Sequence, residues 1–413
     1  RYHKWFCRPE KGDMTSTTLL GQLSRLYEMQ IDLLRSIPPE DCARRFHPRL
    51  ASLNWYFGRG VFLELLWLRE RLQDDDDLSR RVAQLFSPNE LTLEQQCSQL
   101  PPVEHLINWG SEIHDEHLRM LASPSALPDH PWMQNDRLPW FLLQEQAKLY
   151  EAMLTLLNQR SLIEQDQTYL CREPLQAEAS KWETREISQG HYRIGARDEP
   201  RAYDNERPPQ AVELSSFRIA LTPVSNAQYL GFMQQGGYSD TSLWSDEGWQ
   251  WLSQTEHKHP EYWRQDQTGS WYEVAINGAS HLPPEEPVTG ISHHEAQAFC
   301  NWIERKGDEY SGAVIQHEYQ WELAVRTGAV TQIGRAWEWC SNHFHHYPSF
   351  EPFPDDTISN QTEDQTYITL RGAGLHTQPM LRRASFRHWA LPSDHHQFTT
   401  LRLVFPPRHQ WHS

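Results

Sequence analysis

Apolar residues in the first 160 positions recur at the three- and four-residue spacing of amphipathic helices. Residues 15–36 carry such a stripe, and the Ile37-Pro38-Pro39 sequence ends it. Three further segments share the pattern, at residues 53–72, 103–121 and 140–157. Four helices of this length, joined by connections of about a dozen residues or more, predict a four-helix bundle over residues 1–160.

The pattern changes after a linker predicted at residues 161–182. Between residues 183 and 413 the helical segments are short, at 226–234, 294–306 and 319–326, and the strand-like segments are brief, at 217–221, 368–371 and 401–405. Gly, Pro, Asn and Trp separate these pieces, which is typical of a loop-rich domain held together by aromatic side chains. The sequence therefore predicts an α+β protein with two domains.

Composition narrows the range of partners. The chain has 413 residues with 38 Lys and Arg against 55 Asp and Glu, a net charge of −17, so nucleic acid and anionic membrane surfaces are disfavoured. No apolar stretch approaches the roughly 20 residues of a spanning helix, and the N-terminus lacks an apolar signal core. Six cysteines without CxxC spacing indicate neither a disulfide framework nor a zinc knuckle. We expect a cytoplasmic protein.

Ordered blocks in the second half resemble the formylglycine-generating-enzyme fold, also called sulfatase-modifying-factor-like. They are FRIALTPVSNAQYLGFMQQGGY at 217–238, LWSDEGWQW at 243–251, PVTGISHHEAQAFCNW at 287–302, HEYQWELAVRTG at 317–328, AWEWCSN at 336–342 and the terminal LRGAG, ASFRHWALP and LRLVFP. The short step from WELA to WEWC, and YPSFEPFP at 347–354, are similar to the ergothioneine and selenoneine sulfoxide or selenoxide synthases. The resemblance implies an N-terminal DinB-like four-helix bundle followed by a C-type-lectin-like domain.

The resemblance implies the chemistry of that family. There, three histidines of the bundle hold a non-haem Fe(II), and this iron uses O2 to join a thiol or selenol to the imidazole of trimethylhistidine. The matching positions here hold Arg59, Glu145 and Leu149, and Glu151 matches a trailing acid. A guanidinium stays protonated and Leu has no donor atom, so these residues predict that no iron binds there and that no cofactor is held. Arg59 is expected either to form an ion pair with Glu145 or to bind an anion.

The second domain also departs from the family where substrate contacts are implied. His388 stands in place of an Asn and Ala390 in place of an acid, within the sequence SFRHWALP. The residues expected to line a ligand-binding cleft between the domains are His388, Trp389, Arg387, Trp337 and Arg371. In contrast, Trp337-Glu338-Trp339 and Trp321-Glu322 are expected to be mostly core, with each Glu binding loop backbone amides.

Histidines offer alternatives for a metal. His343, His345 and His346 could form a replacement site with His388, or with His395 and His396, because imidazole suits Fe, Cu, Ni and Zn. His114 and His117 could chelate a metal with His105 or with an acid from another helix. For both groups, packing or hydrogen bonding is the favoured interpretation.

Two functions remain open. The first is a diverged relative of the sulfoxide synthases without the usual iron site, a pseudoenzyme that binds a small molecule or a protein partner. The alternative is an active metal-dependent oxidoreductase, forming a C–S or C–Se bond or performing related oxygen chemistry at a relocated metal. Formylglycine-generating activity is excluded, because that chemistry uses a C-terminal cysteine pair and no cysteine follows Cys340.

Overall fold

The chain folds into two compact units that divide between Ile163 and Glu164. The computed structural model describes residues 18–87, 91–123, 125, 127–164, 168–178, 181–354 and 366–408. The division falls near the predicted domain boundary at 160. The predicted start of the first helix at residue 15 lies outside the described residues.

The first unit consists of helices over its described residues. They are α1 (Leu19–Ser36), α2 (Pro39–Ala43), α3 (Leu53–Glu64), a π-helix (Leu65–Arg71) that continues α3, α4 (Asp77–Phe86), α5 (Leu93–Ser98), α6 (Val103–Leu121), a 3-10 helix (Pro131–Asp136) and α7 (Arg137–Ile163). The four long helices correspond to the four predicted segments. Asp77 lies in the first turn of α4, where its charge suits the positive end of the helix dipole.

Helix α3 lies at the centre of this unit and contacts α1, α4, α6 and α7. Its residues are buried almost all round, including Phe57, Val61 and Leu65 of the continuation. A helix that is apolar on every side is expected to be buried on every side. Ser52 caps its N-terminus by accepting a hydrogen bond from the Trp55 backbone N–H at 3.3 Å.

The second unit contains short strands in four small sheets. The strands are β1 (Thr184–Ile187), β2 (Gly190–Ile194), β3 (Gln210–Leu214), β4 (Phe217–Ala220), β5 (Trp263–Gln265), β6 (Trp271–Ala275), β7 (Gly278–Ser280), β8 (Val314–Ile315), β9 (Trp337–His343), β10 (Ile368–Gly372), β11 (His388–Ala390), β12 (Thr399–Thr400) and β13 (Leu403–Phe405). The sheet orders are β1-β4-β13-β8, β11-β10-β9-β12, β2-β3 and β5-β6-β7. The pairs are antiparallel except for β12 and β9, which are parallel.

The helices between these strands are short. They are α8 (Asn226–Gln234), α9 (Asp246–Thr255), α10 (His293–Glu304), α11 (Glu318–Arg326) and the 3-10 helices Asp204–Glu206, Thr241–Leu243 and Asp308–Tyr310, while a further 3-10 helix, Pro379–Leu381, groups with the first unit. Capping boxes at Ser225 and Ser292 begin α8 and α10. This combination of a helical first half and a mixed second half is the α+β architecture that the sequence predicted.

Tryptophans and buried ion pairs form the core of the second unit. Trp321 and Trp339 are fully buried, as the sequence predicted. Glu322 accepts a hydrogen bond from the Gly195 backbone N–H at 2.7 Å, which matches the expectation that it binds a loop amide. The same expectation is wrong for Glu338, whose two oxygens each lie 2.8 Å from the Arg402 guanidinium. A charged partner satisfies both oxygens more fully than one amide could.

Candidate functional site

The residues at the family's iron-ligand positions lie on α3 and α7 and are all partly exposed. Arg59 donates a hydrogen bond to the Phe86 carbonyl, and its guanidinium carbon lies 5.5 Å from the centre of the Phe62 ring. Burial lowers the pKa of Arg59, and the nearby Glu145 charge partly offsets this. The guanidinium is therefore held by a carbonyl and an aromatic ring and has no lone pair for a metal.

The matching positions on α7 are also occupied by residues with other partners. Glu145 forms an ion pair with Lys148, with Nζ and Oε1 at 2.8 Å. The Glu151 backbone carbonyl accepts a hydrogen bond from Thr155 Oγ1 at 3.0 Å. A direct ion pair between Arg59 and Glu145 stays a prediction. An arginine, a leucine and a lysine-paired glutamate do not fit a three-histidine iron site.

A buried polar cluster occupies the bundle core beside these positions. Glu64 is fully buried, and its Oε1 accepts hydrogen bonds from Tyr27 Oη at 2.5 Å and Gln146 Nε2 at 2.7 Å. Its Oε2 lies 3.0 Å from Nδ1 of both His114 and His117. We name Tyr27, Glu64, His114, His117 and Gln146 the Glu64 cluster.

The hydrogen-bond geometry indicates which atoms carry protons. Because a carboxylate accepts, Nδ1 of both histidines must donate to Glu64. His117 Nε2 in turn lies 3.3 Å from the Arg69 Nε donor and accepts from it. His114 packs against Tyr27 with ring centres 3.5 Å apart, and its buried Nε2 has no hydrogen-bond partner among the described residues.

This geometry makes the Glu64 cluster a hydrogen-bonded core. Burial alone would raise the pKa of Glu64, but His114 and His117 outweigh burial and lower it to about 2. Both Nδ1 atoms are used as donors, so the cluster joins His114 and His117 to an acid from another helix without presenting those nitrogens to a metal. The sequence did contain a signal for this cluster, a single Glu within the apolar run VFLELLWL.

Two expected cleft residues lie in the core of the second unit. Arg371 and Arg387 are 0% and 2% exposed. Arg371 Nη2 lies 2.5 Å from Glu322 Oε2, and Arg387 Nε lies 2.8 Å from Glu318 Oε2. These guanidinium groups hold the scaffold together, so we correct their assignment as ligand contacts.

The remaining expected cleft residues group around β11. His388 Nε2 lies 3.2 Å from Gln397 Oε1, and the His388 ring packs against Trp337 at a ring-centre distance of 4.9 Å. Trp389 packs against Phe344 at 4.6 Å. His388 and Trp389 are partly exposed and Trp337 is buried, so the first two remain available to a ligand.

The loop histidines proposed as a replacement metal site are spread over β9 and the residues after it. His343 and His345 are exposed, and their ring centres are 6.3 Å apart. His346 instead stacks on Phe350 at 3.9 Å. Among the described residues, the group of metal-ligating side chains that lies close enough to chelate an ion is a different one, His257, Glu261 and His395.

Comparison with known proteins finds a similarity in part of the second unit. The model of the sulfatase-modifying factor enzyme 1-like domain matches residues 173–333. This segment is therefore similar to that domain family. The match covers the blocks from residue 217 to 328 on which the resemblance was based.

Curated proteins are also similar to about half of this chain. Hercynine oxygenase of Mycobacterium tuberculosis is 27% identical over 256 residues, covering 51% of this chain and 58% of the relative. Ergothioneine biosynthesis protein 1 of Schizosaccharomyces pombe is 24% identical over 229 residues, covering 49% of this chain and 27% of the relative. The matched region thus spans little more than half the length of the first relative and about a quarter of the second.

A solved structure, PvdO from Pseudomonas aeruginosa, is similar at 14% identity, a TM-score of 0.39, 57% coverage of this chain and 100% of that chain. In the described part of the chain, no helix combines the length and apolar character needed to cross a bilayer.

Proposed function

We propose that this chain is a diverged relative of the hercynine oxygenases that has lost the bundle iron site and acts as a binding module. The observation that carries the proposal is the identity and bonding of the residues at the iron-ligand positions. Arg59 is bound to a backbone carbonyl, Glu145 is paired with Lys148, and Leu149 has no donor atom. Without iron there, the chain cannot activate O2 as the family does.

A small molecule is the ligand that best fits the second unit, and a protein partner is the other outcome. His388 and Trp389 are partly exposed side chains that together offer a hydrogen-bonding group and an aromatic face. The substrate-contact changes around them imply a ligand other than the family's. Nucleic acid and membranes stay excluded from the proposal on charge.

A cytoplasmic location is part of the same proposal. Cys42, Cys97, Cys171, Cys300 and Cys340 are free thiols, as expected in a reducing compartment.

The alternative function is an oxidoreductase with a relocated metal, and the names of the hercynine oxygenase relatives favour it. Such an enzyme would need metal ligands outside the bundle positions. The two functions differ in one measurable property, which is O2 consumption that depends on bound metal.

The test supplies Fe(II), trimethylhistidine and cysteine or a selenosugar to the purified full chain. We expect no O2 consumption and no C–S or C–Se product. A matched variant, Arg59→His with Glu145→His and Leu149→His, should gain stoichiometric iron, because it restores three imidazole donors. Iron-dependent turnover by the unchanged chain would overturn the proposal. Its loss in Arg59→Ala with Glu145→Ala would assign the metal to the bundle positions, and its retention would support a relocated metal.

A further inference from the structure

Three side chains from two loops of the second unit meet at one place. His257 and Glu261 lie between α9 and β5, and His395 lies between β11 and β12. One imidazole nitrogen from each histidine and one carboxylate oxygen of Glu261 all lie within 4.8 Å of one another. The side chains are 11%, 18% and 21% exposed, respectively, so an ion can reach them from solvent while most of each group stays buried.

The two loops are held together by the neighbours of these residues. The Tyr262 hydroxyl donates to the His396 carbonyl, and the Tyr262 ring stacks on Phe398 at 4.8 Å. The Glu261 backbone N–H donates to the Gly290 carbonyl at 2.8 Å. Residues adjacent to Glu261 and His395 therefore fix the backbone on both sides, which is the support that a preorganised site needs.

His395 is oriented as metal-bound histidines are. Its Nδ1 lies 2.9 Å from the Ser393 carbonyl and donates to it, while Nε2 lies 3.3 Å from Glu261 Oε2. A backbone carbonyl on one ring nitrogen is the usual arrangement that holds the other nitrogen toward a metal. A cation bound between Nε2 and Oε2 would take the place of a proton there.

His257 offers a second imidazole whose polar atoms are not fully used. Its buried Nε2 lies 3.3 Å from Glu295 Oε1 but has no hydrogen bond of good geometry among the described residues. Both Glu295 oxygens already accept, from the Tyr238 hydroxyl at 2.5 Å and from the Ser292 backbone N–H at 2.7 Å. The buried carboxylate adds negative charge behind the imidazole, which favours a cation in the cluster.

The Trp251 ring packs against one side of the three-residue cluster. The Trp251 ring centre lies 5.4 Å from His257 and 5.7 Å from His395, and the two imidazole centres are 4.6 Å apart. The indole packs against both imidazoles and so limits their rotation. It also provides a fluorescent group beside the cluster.

We propose that His257, Glu261 and His395 bind one divalent first-row transition ion. Two imidazoles and a carboxylate form a donor set used by zinc and non-haem iron sites, with the remaining positions open to water or a ligand. Ligand atoms around tetrahedral zinc lie about 3.4 Å apart, given bond lengths of about 2.1 Å, so the cluster must close by about 1.4 Å at most. The proposal does not depend on the loss of the bundle iron site, because none of its ligands lies on the bundle. An ion bound here would be a metal outside the bundle, which the alternative function requires.

The test titrates metal-stripped full-length protein with Zn²⁺ by calorimetry and with Co²⁺ by visible absorption. We expect one ion per chain and a Co²⁺ spectrum of a protein-bound ion with nitrogen ligands. Loss of an outer-shell partner weakens metal sites by about 10- to 100-fold, so His257→Ala and His395→Ala should each weaken Zn²⁺ binding at least 100-fold. Glu261→Gln keeps the size of the side chain and should weaken binding about tenfold or more.

His343→Ala removes an exposed histidine outside the cluster and is the matched control, which should bind Zn²⁺ as the unchanged chain does. Circular dichroism shows whether each variant keeps its fold, and a zinc-edge anomalous map of the unchanged chain locates the ion if a variant unfolds. Absence of binding, or a density peak away from the three residues, would overturn the proposal. Iron at Arg59 and Glu145 would contradict only the proposed function.

Discussion

Gln146 donates a hydrogen bond from Nε2 to Glu64 Oε1 at 2.7 Å, across the core of the helical bundle. The adjacent residue, Glu145, is partly exposed and pairs with Lys148. Helix α7 is thus turned so that a neutral amide supports the buried carboxylate while the iron-ligand positions lie at the edge of the core. The polar centre of this bundle is a hydrogen-bond network on Glu64.

Glu64→Gln should destabilise the bundle by about 2–4 kcal/mol, because the new amide would place a donor against donors that now bind a buried carboxylate. Hydrogen exchange of α3 and α6 peptides in the full chain is the measurement, since two units need not unfold in one step. Glu104→Gln, on the exposed face of α6, is the control and should change stability by less than about 0.5 kcal/mol. Equal effects of the two substitutions would refute a stabilising role for the Glu64 cluster.

Acid should weaken the bundle through the same carboxylate. The pKa of Glu64 is about 2 in the folded chain against an ordinary value of 4.5. A lowered pKa means that the ionised group stabilises the fold above pH 4.5 and that this contribution is lost as the pH falls from 4.5 to 2. Exchange protection of α3 should therefore fall more steeply over this range in the unchanged chain than in Glu64→Gln. If exchange protection fell with pH equally in the unchanged chain and in Glu64→Gln, the lowered pKa of Glu64 would be contradicted.

Gly60 on α3 makes room for the Gln146 side chain. A Cβ atom at position 60 would lie 2.4 Å from Gln146 Oε1. Gly60→Ala should therefore displace Gln146 from Glu64 and cost about 1–3 kcal/mol, although alanine is the better helix former. In a Gln146→Ala background the same change should be neutral or stabilising by up to about 1 kcal/mol. The same loss in both backgrounds would show that contact with Gln146 is not the cause.

Much of the fold could be predicted from the sequence. Three- and four-residue apolar spacing located the four long helices, and ordered motifs located the second unit. The short helices α2 and α5 were missed because their five and six residues are too few to carry a periodic signal. Helix α4 was missed although its ten residues are amphipathic.

The sites were harder to predict from the sequence, because they depend on contacts between residues that are far apart along the chain. Glu64 and His117 are 53 residues apart, so no local spacing joins them. Arg387 appeared in a family substrate block, yet burial beside Glu318 gives it a structural role. His257 and His395 meet only through the packing of two loops.

Arg387→Leu should destabilise the second unit by about 3–5 kcal/mol, because it leaves the buried Glu318 carboxylate short of its main cation. His388→Ala, at the next residue and partly exposed, should cost less than about 1 kcal/mol. Thermal unfolding of the full chain compares the two. A mild effect of Arg387→Leu would return that residue to the set of ligand contacts.

The relation between Arg59 and Glu145 can be measured by comparing a single with a double substitution. If they pair, Arg59→Ala leaves Glu145 with Lys148 alone as its cation and should destabilise the bundle more than Arg59→Leu with Glu145→Leu, which should be near neutral. Chemical unfolding measures both variants. Equal stabilities would mean that the two charges do not pair and would leave Arg59 to bind an anion.

The central claim is that no iron binds at Arg59, Glu145 and Leu149. An iron-edge anomalous difference map from crystals grown anaerobically with Fe(II) tests it most directly. The account predicts no peak within bonding distance of these three residues. A peak bonded to Glu145 would contradict it.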